Sequence, residues 1–354
     1  MAEETVAEIS IEVQNLVKRY PKATFNAVDD ISFSVQKGEI FGLLGPNGAG
    51  KTTTIGVLTT NIVPTSGSAY IMGIDVVADP MSVKQRIAVV PQQSNLDRSL
   101  RAREILTFHA SYHGVPRAER NARADTLLEE FGLGDRGKDK VMRYSGGMAQ
   151  RLMLARALMH FPDVLFLDEP TNSLDPQSRL FLWDRIRSLN EQGATILLTT
   201  HDMEEADQLC QRIAIMDHGK ILVLDTPSEL KKLIPGGTSL ALRLRIPELV
   251  SIGNAHQDTH AKTQLLDALR ALPGVVKVEE APAQEGEDEQ QGTMLFRLYA
   301  ENAGALVLQA TQIVAEADME LHDLHLARPS LEDVFIYLTS RSLRDDAGFI
   351  VRHA

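Results

Sequence analysis

Apolar and polar residues alternate along the first part of the chain, as they do in strands that have one buried face. The segments ISIEVQNLV and DISFSVQKGEIFGLLG follow this pattern, with turns expected near Pro21 and Lys37-Gly38. VLFL (164–167) and TILL (195–198) are short continuous apolar runs, which are typical of strands buried on both faces of a sheet. KTTTIGVLTT, ILTFHASYHG and RADTLLEEFGL have helical spacing. This alternation predicts an α/β domain with a parallel sheet over residues 8–235.

The pattern changes after PGG (235–237), where we place a domain boundary. Residues 236–341 predict a strand, a helix, two strands, a helix and a strand, which is the βαββαβ order of a ferredoxin-like domain. The acidic stretch AQEGEDEQQG between the middle strands predicts a solvated hairpin loop, and residues 342–354 form a tail. The predicted elements are 238–246, 261–272, 274–280, 293–299, 303–316 and 318–326, followed by a last helix with Ser330 as its N-cap, three residues before Asp333.

Composition and charge exclude several classes of protein. The chain has 354 residues, 44% hydrophobic and 24% charged, which fits a globular protein of about two domains. Its net charge of −12 argues against a surface that binds nucleic acid generally. A single cysteine, Cys210, excludes a disulfide framework and fits a reducing compartment. We expect no signal peptide and no membrane span, so that any role at a membrane depends on a partner protein.

A phosphate-binding motif occupies GPNGAGKTT (45–53), which follows an apolar strand and opens a helix. The motif matches G-x-x-x-x-G-K-[ST], in which backbone N–H groups cradle phosphate oxygens and the helix N-terminus adds positive charge. Lys51 is expected to reach the terminal phosphates, and the Thr52 hydroxyl group to bind Mg²⁺. The residues expected to contact the nucleotide here are Gly45, Pro46, Asn47, Gly48, Ala49, Gly50, Lys51, Thr52 and Thr53.

Two adjacent carboxylates end the apolar strand in VLFLDEP (164–170). In a parallel sheet, the ligand crevice lies at the carboxyl ends of the strands. We therefore expect Asp168 to face the Mg²⁺ ion and Glu169 to face an attacking water molecule. Without the phosphate-binding motif, the same residues would more simply indicate a helix-capping turn.

Five further segments complete a resemblance to the ABC ATPase family. They agree in order with the two motifs above over about residues 8–235. The resemblance implies a P-loop NTPase fold of the ABC cassette type, with a RecA-like parallel sheet core, an antiparallel β subdomain and an α-helical subdomain. Tyr20 resembles the aromatic residue that stacks on adenine, and Gln92 resembles the glutamine of the Q-loop. YSGGMAQR (144–151) resembles the signature loop, SLDP (173–176) the D-loop and His201 the switch histidine.

The resemblance also implies a mechanism in which two copies of the chain sandwich two ATP molecules. Ser145 and Gly147 of one copy would contact the γ-phosphate bound by the other, and Asp175 would communicate across the dimer. Glu169 would polarise the attacking water and His201 would hold the γ-phosphate. Gln92 would connect Mg²⁺, which Thr52 and Asp168 also face, to the transport subunit.

RPSLEDVFIYLT (328–339) resembles the tail of exporter ATPases of the daunorubicin-resistance and sodium-efflux type. This implies an ATPase on the cytoplasmic face of the cell membrane, bound peripherally to a separate polytopic permease, with no nucleic acid partner. An importer ATPase and a soluble ABC ATPase acting on nucleic acid or ribosomes are the alternatives. Tyr144 lies only 93 residues after Lys51, which leaves no room for the long coiled coil of chromosome-type members. Glu169 and His201 disfavour a binding module without hydrolysis.

Two residues depart from the family pattern. Met148 stands where many members have glutamine, and Ser173 stands at a position that is often glycine. The extra domain, residues 236–341, is either a stabilising or dimerising appendage or a regulatory one.

We expect the permease to dock on the segment after Gln92, with Leu96 exposed, and on the helical segment near 101–113. The other residues named for this surface are Ser94, Asn95 and Asp97.

Overall fold

The computed structural model describes residues 8–234, 238–245, 255–281, 293–300, 303–317, 319–327 and 329–339. The PGG segment, the acidic stretch AQEGEDEQQG and the tail 342–354 lie outside these residues. The chain divides into two compact units, Met1–Pro227 and Ser228–Ala354. No helix in the described ranges has the length and apolar character that a membrane crossing requires.

The first unit alternates strands and helices along the chain. Its strands are β1 (Ile9–Lys18), β2 (Val28–Gln36), β3 (Ile40–Leu44), β4 (Ser66–Ile71), β5 (Ile74–Asp75), β6 (Ile87–Val90), β7 (Val164–Asp168), β8 (Thr195–Thr200), β9 (Arg212–Asp217) and β10 (Lys220–Asp225). Its helices are α1 (Lys51–Leu58), α2 (Pro80–Arg86), α3 (Ala102–Tyr112), α4 (Arg117–Glu130), α5 (Gly146–Ala157), α6 (Pro176–Glu191) and α7 (Met203–Leu209), and α8 (Pro227–Lys232) spans the division between the units.

A six-stranded sheet carries the site. Its strand order is β10-β9-β3-β8-β7-β6, and all neighbours are parallel except β10 and β9. Every residue of β3, β7 and β8 is buried, which explains why these strands are continuous apolar runs. Because parallel strands end at the same edge, the loops after β3, β7 and β8 meet there. The predicted parallel α/β core is confirmed.

A second sheet, in the order β2-β1-β4-β5, is antiparallel throughout. Its apolar face shares one hydrophobic core with α1 and the parallel sheet. Phe33 of β2 stacks on Phe41 of β3, with ring centroids 5.2 Å apart. Burial of such faces is the main source of stability in a layered domain. This sheet is the predicted antiparallel subdomain.

Helices α3, α4 and α5 pack on one another as a helical layer. Arg103 of α3 and Asp125 of α4 form a two-bond ion pair at 2.6 and 2.9 Å. Helix α3 lies within the helical segment predicted near 101–113, whereas α4 begins at Arg117, before the segment RADTLLEEFGL that has helical spacing. The first turn of α4 contains mostly polar residues, so that the apolar periodicity becomes visible only later in the helix.

The second unit has the predicted βαββαβ order. Its antiparallel sheet has the strand order β12-β13-β11-β14, which is that of a ferredoxin-like fold. The Ser330 hydroxyl group accepts the N–H of Asp333, whose carboxylate accepts the N–H of Ser330, so the predicted N-cap is confirmed. The elements are β11 (Thr238–Arg245), α9 (Ala255–Arg270), β12 (Val275–Ala281), β13 (Thr293–Ala300), α10 (Ala303–Glu316), β14 (Glu320–Ala327) and a last helix, α11, at 331–339.

Candidate active site

The phosphate-binding loop lies between the end of β3 and the first residue of α1, Lys51. Gly50 has φ = 105°, which is the left-handed region that favours glycine, and a Cβ atom there would lie 2.5 Å from the Ala27 carbonyl oxygen. Asn47, Gly48 and Thr52 are exposed. The loop therefore presents its backbone and the start of α1 to solvent, which is the geometry of an anion-binding helix N-terminus.

The Lys51 ammonium group is buried beneath this loop. It donates to the carbonyl oxygens of Gly45 at 2.6 Å and Pro46 at 3.2 Å, and its Nζ lies 3.5 Å from Oε1 of Glu169. Burial lowers the pKa of Lys51, and the Glu169 carboxylate opposes this effect. The structure thus holds a cation directly under the loop, at the position expected for contact with terminal phosphates.

Glu169 is the centre of the site. Its Oε2 accepts hydrogen bonds from the side-chain amides of Gln92 at 2.9 Å and Asn172 at 3.2 Å, and it lies 3.3 Å from Nδ1 of His201. The carboxylate is buried, and its residue has φ = 48°, a backbone conformation that is unusual for glutamate. A non-glycine residue held in this region is typical of functional sites, because the surrounding structure must compensate the strain.

Asp168 lies beside Glu169 at the end of β7 and faces the start of α1. Its Oδ1 accepts from the Thr52 hydroxyl group at 3.3 Å and from the Thr199 hydroxyl group at 2.6 Å. Burial raises the pKa of Asp168, while these two hydrogen bonds lower it. A carboxylate next to a hydroxyl group offers the hard oxygen ligands that Mg²⁺ prefers, so Thr52 and Asp168 fit that ion.

The structure brings together six of the predicted residues from four separate segments. The segments are the start of α1, the loop after β6, the end of β7 and the loop after β8. Tyr20 lies beside them: its hydroxyl group is 3.4 Å from Oγ1 of Thr53, the residue is 41% exposed, and Nζ of Lys18 lies 5.3 Å from the centroid of its ring. The six residues are Lys51, Thr52, Gln92, Asp168, Glu169 and His201.

Ser145 and Gly147 form a separate site at the start of α5. Ser145 is exposed and caps the helix by accepting the N–H of Met148 at 3.3 Å. Gly147 is buried, and a Cβ atom there would lie 2.5 Å from Oγ of Ser178, so α5 packs closely against the first turn of α6. Asp175 caps α6 through the N–H of Ser178 at 2.9 Å. Among the described residues, these contacts do not reach the phosphate-binding loop.

The expectation that Leu96 is exposed was wrong. Its side chain is 7% exposed and belongs to the hydrophobic core, whereas Ser94, Asn95 and Asp97 on either side are exposed. An apolar residue in a polar loop more often anchors the loop than offers it to a partner. Two apolar side chains of α3 are exposed instead, Phe108 at 62% and Tyr112 at 90%, and Tyr112 lines a cavity together with Asn95 of this loop.

Two residues that contact the site, Thr199 and Asn172, were not predicted from the sequence; they hold Asp168 and Glu169, as described above. Glu205 was not predicted either; it is buried and bonds to Thr171, two residues after Glu169. The Glu205 carboxylate accepts from Thr171 at 2.7 Å and from the Trp183 indole at 3.1 Å, and burial raises its pKa. Thr199 was detectable in principle, because it lies at the end of β8, beside the end of β7. Glu205 had no such signal.

A family model described as ABC transporter matches residues 28–172 of the chain. The chain matches two relatives almost from end to end. The doxorubicin resistance ATP-binding protein DrrA of Mycobacterium tuberculosis (strain CDC 1551 / Oshkosh) is 38% identical over 333 residues, which cover 94% of each chain. The linearmycin resistance ATP-binding protein LnrL of Bacillus subtilis (strain 168) is 36% identical over 338 residues, which cover 95% of this chain and 100% of LnrL.

Solved structures with the same fold match the first part of the chain. An ATP-binding subunit of an ABC transporter has a TM-score of 0.58 and 31% identity, covering 63% of this chain and 92% of that subunit. The ATP-binding cassette MJ0796, solved as a dimer in a post-hydrolysis state with ADP and Pi, has a TM-score of 0.56 and 27% identity. That match covers 61% of this chain and 98% of MJ0796.

Proposed function

The chain belongs to the ATP-binding subunits of ABC transporters, and we propose that it powers an exporter whose membrane-spanning permease is a separate chain. As a member of this family it binds and hydrolyses ATP. The observation that carries the proposal is the convergence of Lys51, Gln92 and His201 on the buried carboxylate of Glu169. We assign the hydrolytic chemistry to this cluster.

In the proposed reaction, Glu169 accepts a proton from the water molecule that attacks the γ-phosphate. A general base must be held in position, and the amide donors of Gln92 and Asn172 together with the nearby Lys51 hold the Glu169 carboxylate. Lys51 and the N-terminus of α1 neutralise charge on the phosphates, because phosphoryl transfer depends mainly on positioning and charge stabilisation. His201 is assigned to the γ-phosphate itself.

We assign Mg²⁺ to the pair formed by Thr52 and Asp168, whose oxygen atoms lie 3.3 Å apart. When bound there, Mg²⁺ would neutralise charge on the β- and γ-phosphates. Gln92 has its side-chain N–H directed to Glu169. Its carbonyl oxygen is the atom that would turn toward the ion, and it would thereby connect the ion to the loop that follows β6.

Two copies of the chain are proposed to close around two ATP molecules; MJ0796 was solved as a dimer, in a post-hydrolysis state with ADP and Pi. Support comes from the exposed position of Ser145 at the N-terminus of α5, which has twelve residues and carries partial positive charge at that end. The phosphate-binding loop of the same copy makes no contact with Ser145 among the described residues. Ser145 of each copy would contact the γ-phosphate bound at the phosphate-binding loop of the other copy, so that both nucleotide sites would be completed.

The membrane partner is proposed to be a polytopic permease that binds this chain at the cytoplasmic face of the cell membrane. DrrA and LnrL are both named as resistance proteins, and the matches with this chain cover 94% of DrrA and 100% of LnrL. These names favour export over import. The corrected docking surface combines the exposed residues after Gln92 with Phe108 and Tyr112 of α3. Selection of the transported compound is assigned to the permease.

The experiment that tests the assignment compares the wild type with Glu169→Gln and Lys51→Ala. We expect Glu169→Gln to bind ATP normally and to lose about 10²–10⁴-fold in turnover, because glutamine keeps the shape but cannot accept the proton. Lys51→Ala should weaken ATP binding itself. Fluorescent-nucleotide binding and phosphate release measure the two effects separately. Normal turnover in Glu169→Gln would refute the assignment of the general base.

A further inference from the structure

Three histidines form a cluster in the first unit, away from the residues assigned to ATP. His109 lies on α3, His113 caps the end of that helix, and His160 ends a short 3-10 helix, Leu158–His160, that follows α5. One ring nitrogen from each of the three lies within 4.8 Å of the other two. His113 stacks on His160 with ring centroids 3.8 Å apart, and the ring of His109 meets that of His160 edge-on at 5.4 Å.

The spacing and hydrogen bonds of the cluster are those of metal ligands. His109 and His113 are four residues apart, the spacing that places two histidines on one helix face in helical zinc motifs. Nε2 of His160 lies 2.9 Å from the Ile87 carbonyl oxygen. A carbonyl oxygen only accepts, so Nε2 carries the proton and Nδ1 keeps its lone pair free. Metal-binding histidines commonly have their second nitrogen bonded to a carbonyl in this way.

Two ring nitrogens of the cluster are buried without a protein partner. Nδ1 of His160 and Nε2 of His109 have no hydrogen-bond partner among the residues the structure describes. Buried polar atoms are nearly always paired, so each of them is evidence of a ligand that the protein itself does not supply. Both atoms belong to histidines of the three-residue cluster.

The protonation state of the cluster fits a metal ion. Burial and the neighbouring positive groups lower the pKa of His109 to about 3, and burial also lowers the pKa values of His113 and His160. These shifts favour the neutral imidazole, which is the form that binds metals. The nearby guanidinium groups are directed elsewhere: Arg156 donates to Asn95 at 2.7 Å, and Arg123 donates to the Leu158 carbonyl oxygen at 2.6 Å.

We propose that His109, His113 and His160 bind one divalent transition-metal ion of the imidazole-preferring class, Zn²⁺, Ni²⁺ or Cu²⁺. Three neutral nitrogens near two arginines disfavour Mg²⁺ and Ca²⁺, which prefer anionic oxygen ligands. In a tetrahedral site with metal–nitrogen bonds of about 2.0–2.1 Å, the nitrogens would be about 3.3 Å apart, so the rings turn inward on binding. The bound ion would join α3 to His160, and through Ile87 to β6. This site is independent of the proposed ATP chemistry.

The test uses the full-length protein after EDTA treatment, titrated with Zn²⁺ in competition with a chromophoric chelator. We expect one ion per chain in the wild type and at least a tenfold loss of affinity in His113→Gln and in His160→Gln. His218→Asn is the control, because the side chain of His218 is 96% exposed in a turn and remote from the cluster in the fold. Circular dichroism verifies that each variant is folded.

A second measurement follows the unfolding temperature. Zn²⁺ should raise the unfolding temperature of the wild type and of His218→Asn, because an ion that binds only the folded state stabilises it by mass action. The unfolding temperatures of His113→Gln and His160→Gln should not respond. Co²⁺ should give the intense visible absorption of a tetrahedral site in the wild type and in His218→Asn, but not in His113→Gln or His160→Gln. Equal Zn²⁺ affinity in the wild type and both cluster variants would overturn the proposal.

Discussion

The Thr199 hydroxyl group donates a 2.6 Å hydrogen bond to Oδ1 of Asp168, from the end of strand β8 to the end of strand β7. The same hydroxyl group accepts the backbone N–H of Glu169 at 3.1 Å. One side chain thus positions both carboxylates of the site. Burial raises the pKa of Asp168, and the bond from Thr199 is the largest of the effects that lower it again. Thr199 therefore favours the ionised form that a metal ligand requires.

We expect Thr199→Val to move the acid limb of the ATPase pH profile to higher pH. Valine keeps the shape of threonine but removes the donor, so the pKa of Asp168 rises and the carboxylate protonates earlier as the pH falls. A hydrogen bond to a charged group contributes about 1.5–3 kcal/mol, which corresponds to about 1–2 pH units. Turnover measured from pH 5 to pH 8 gives the shift.

Thr195→Val is the matched control for this change. Thr195 is a buried threonine at the opposite end of β8, and its hydroxyl group bonds to Gly38 and Ser10 rather than to the site. Thr195→Val should reduce the stability of the protein without moving the acid limb of the ATPase pH profile. An acid limb in Thr199→Val that coincides with that of the wild type would contradict the positioning role.

Ser145→Arg should abolish the ATP-dependent dimer. The substitution places bulk and charge at the exposed N-terminus of α5, where the second copy's γ-phosphate is proposed to bind. The Glu169→Gln background keeps ATP intact during the measurement. Light scattering after size-exclusion chromatography, with and without ATP, reports the mass. Met142→Arg adds the same side chain at a site that is 60% exposed, three residues earlier, and should still dimerise. Dimers of Ser145→Arg would refute the trans contact.

Ser173→Gly should stabilise the protein. Ser173 has φ = 61°, so its backbone adopts the left-handed conformation, which costs a non-glycine residue about 1–2 kcal/mol. The greater chain entropy of glycine in the unfolded state offsets about 0.5–1 kcal/mol of the gain. We expect a net increase of about 0.5–1 kcal/mol in the free energy of unfolding, measured by urea denaturation.

Ser173→Ala separates the backbone effect from loss of the hydroxyl group, which donates to Asn172 at 3.3 Å. Alanine removes that bond but keeps the strain, so Ser173→Ala should be less stable than Ser173→Gly. The reverse order would show that strain at this position does not limit stability. The departure from the family pattern at Ser173 thus concerns backbone conformation, since glycine adopts this φ without cost.

Glu205→Gln should change how stability depends on pH. Burial raises the pKa of Glu205 in the folded state above its ordinary value of 4.5. Between that value and the folded pKa, the folded state holds a proton that the unfolded state has lost. The stability of the wild type therefore falls as the pH rises through this window, with a slope of at most about 1.4 kcal/mol per pH unit. Glutamine does not titrate, so the variant lacks this fall.

Urea denaturation at several pH values from 4.5 to 7 measures the difference in stability between Glu205→Gln and the wild type. The difference should move in favour of the variant as the pH rises. Glu204→Gln changes the exposed neighbour in the same helix and should run parallel to the wild type. A constant difference for Glu205→Gln across this range would mean that Glu205 has the same pKa in both states.

The double substitution Phe108→Ala and Tyr112→Ala should release the protein from membranes that contain its permease. Both side chains are exposed on one face of α3, four residues apart, so their removal should leave the core intact. Sedimentation of membranes followed by immunoblotting measures the bound fraction. Leu180→Ala removes an equally exposed apolar side chain on α6 and should remain bound. Unchanged recovery of the double variant would place docking elsewhere.

The sequence by itself determined the motifs that we assign to ATP binding and the order of the secondary structure elements. A glycine-rich loop between an apolar strand and a helix has one dominant geometry, because backbone sterics and helix N-terminal charge act over a few residues. The same locality explains why the cap formed by Ser330 and Asp333 was predicted correctly. The carboxyl-end rule for parallel sheets was enough to place Asp168 and Glu169 beside Lys51.

Only the tertiary structure decided which side chains support these residues. The loop sequence does not show whether Leu96 is exposed like its polar neighbours. In the folded chain, packing buries its side chain. Burial raises the pKa of Glu205, and the hydrogen bonds that oppose this effect come from Trp183 and Thr171, which precede it by 22 and 34 residues. His160 joins His109 and His113 only because α3 packs beside the short helix after α5. Burial and contact between distant segments are properties of the folded chain, and no local pattern of residues encodes them.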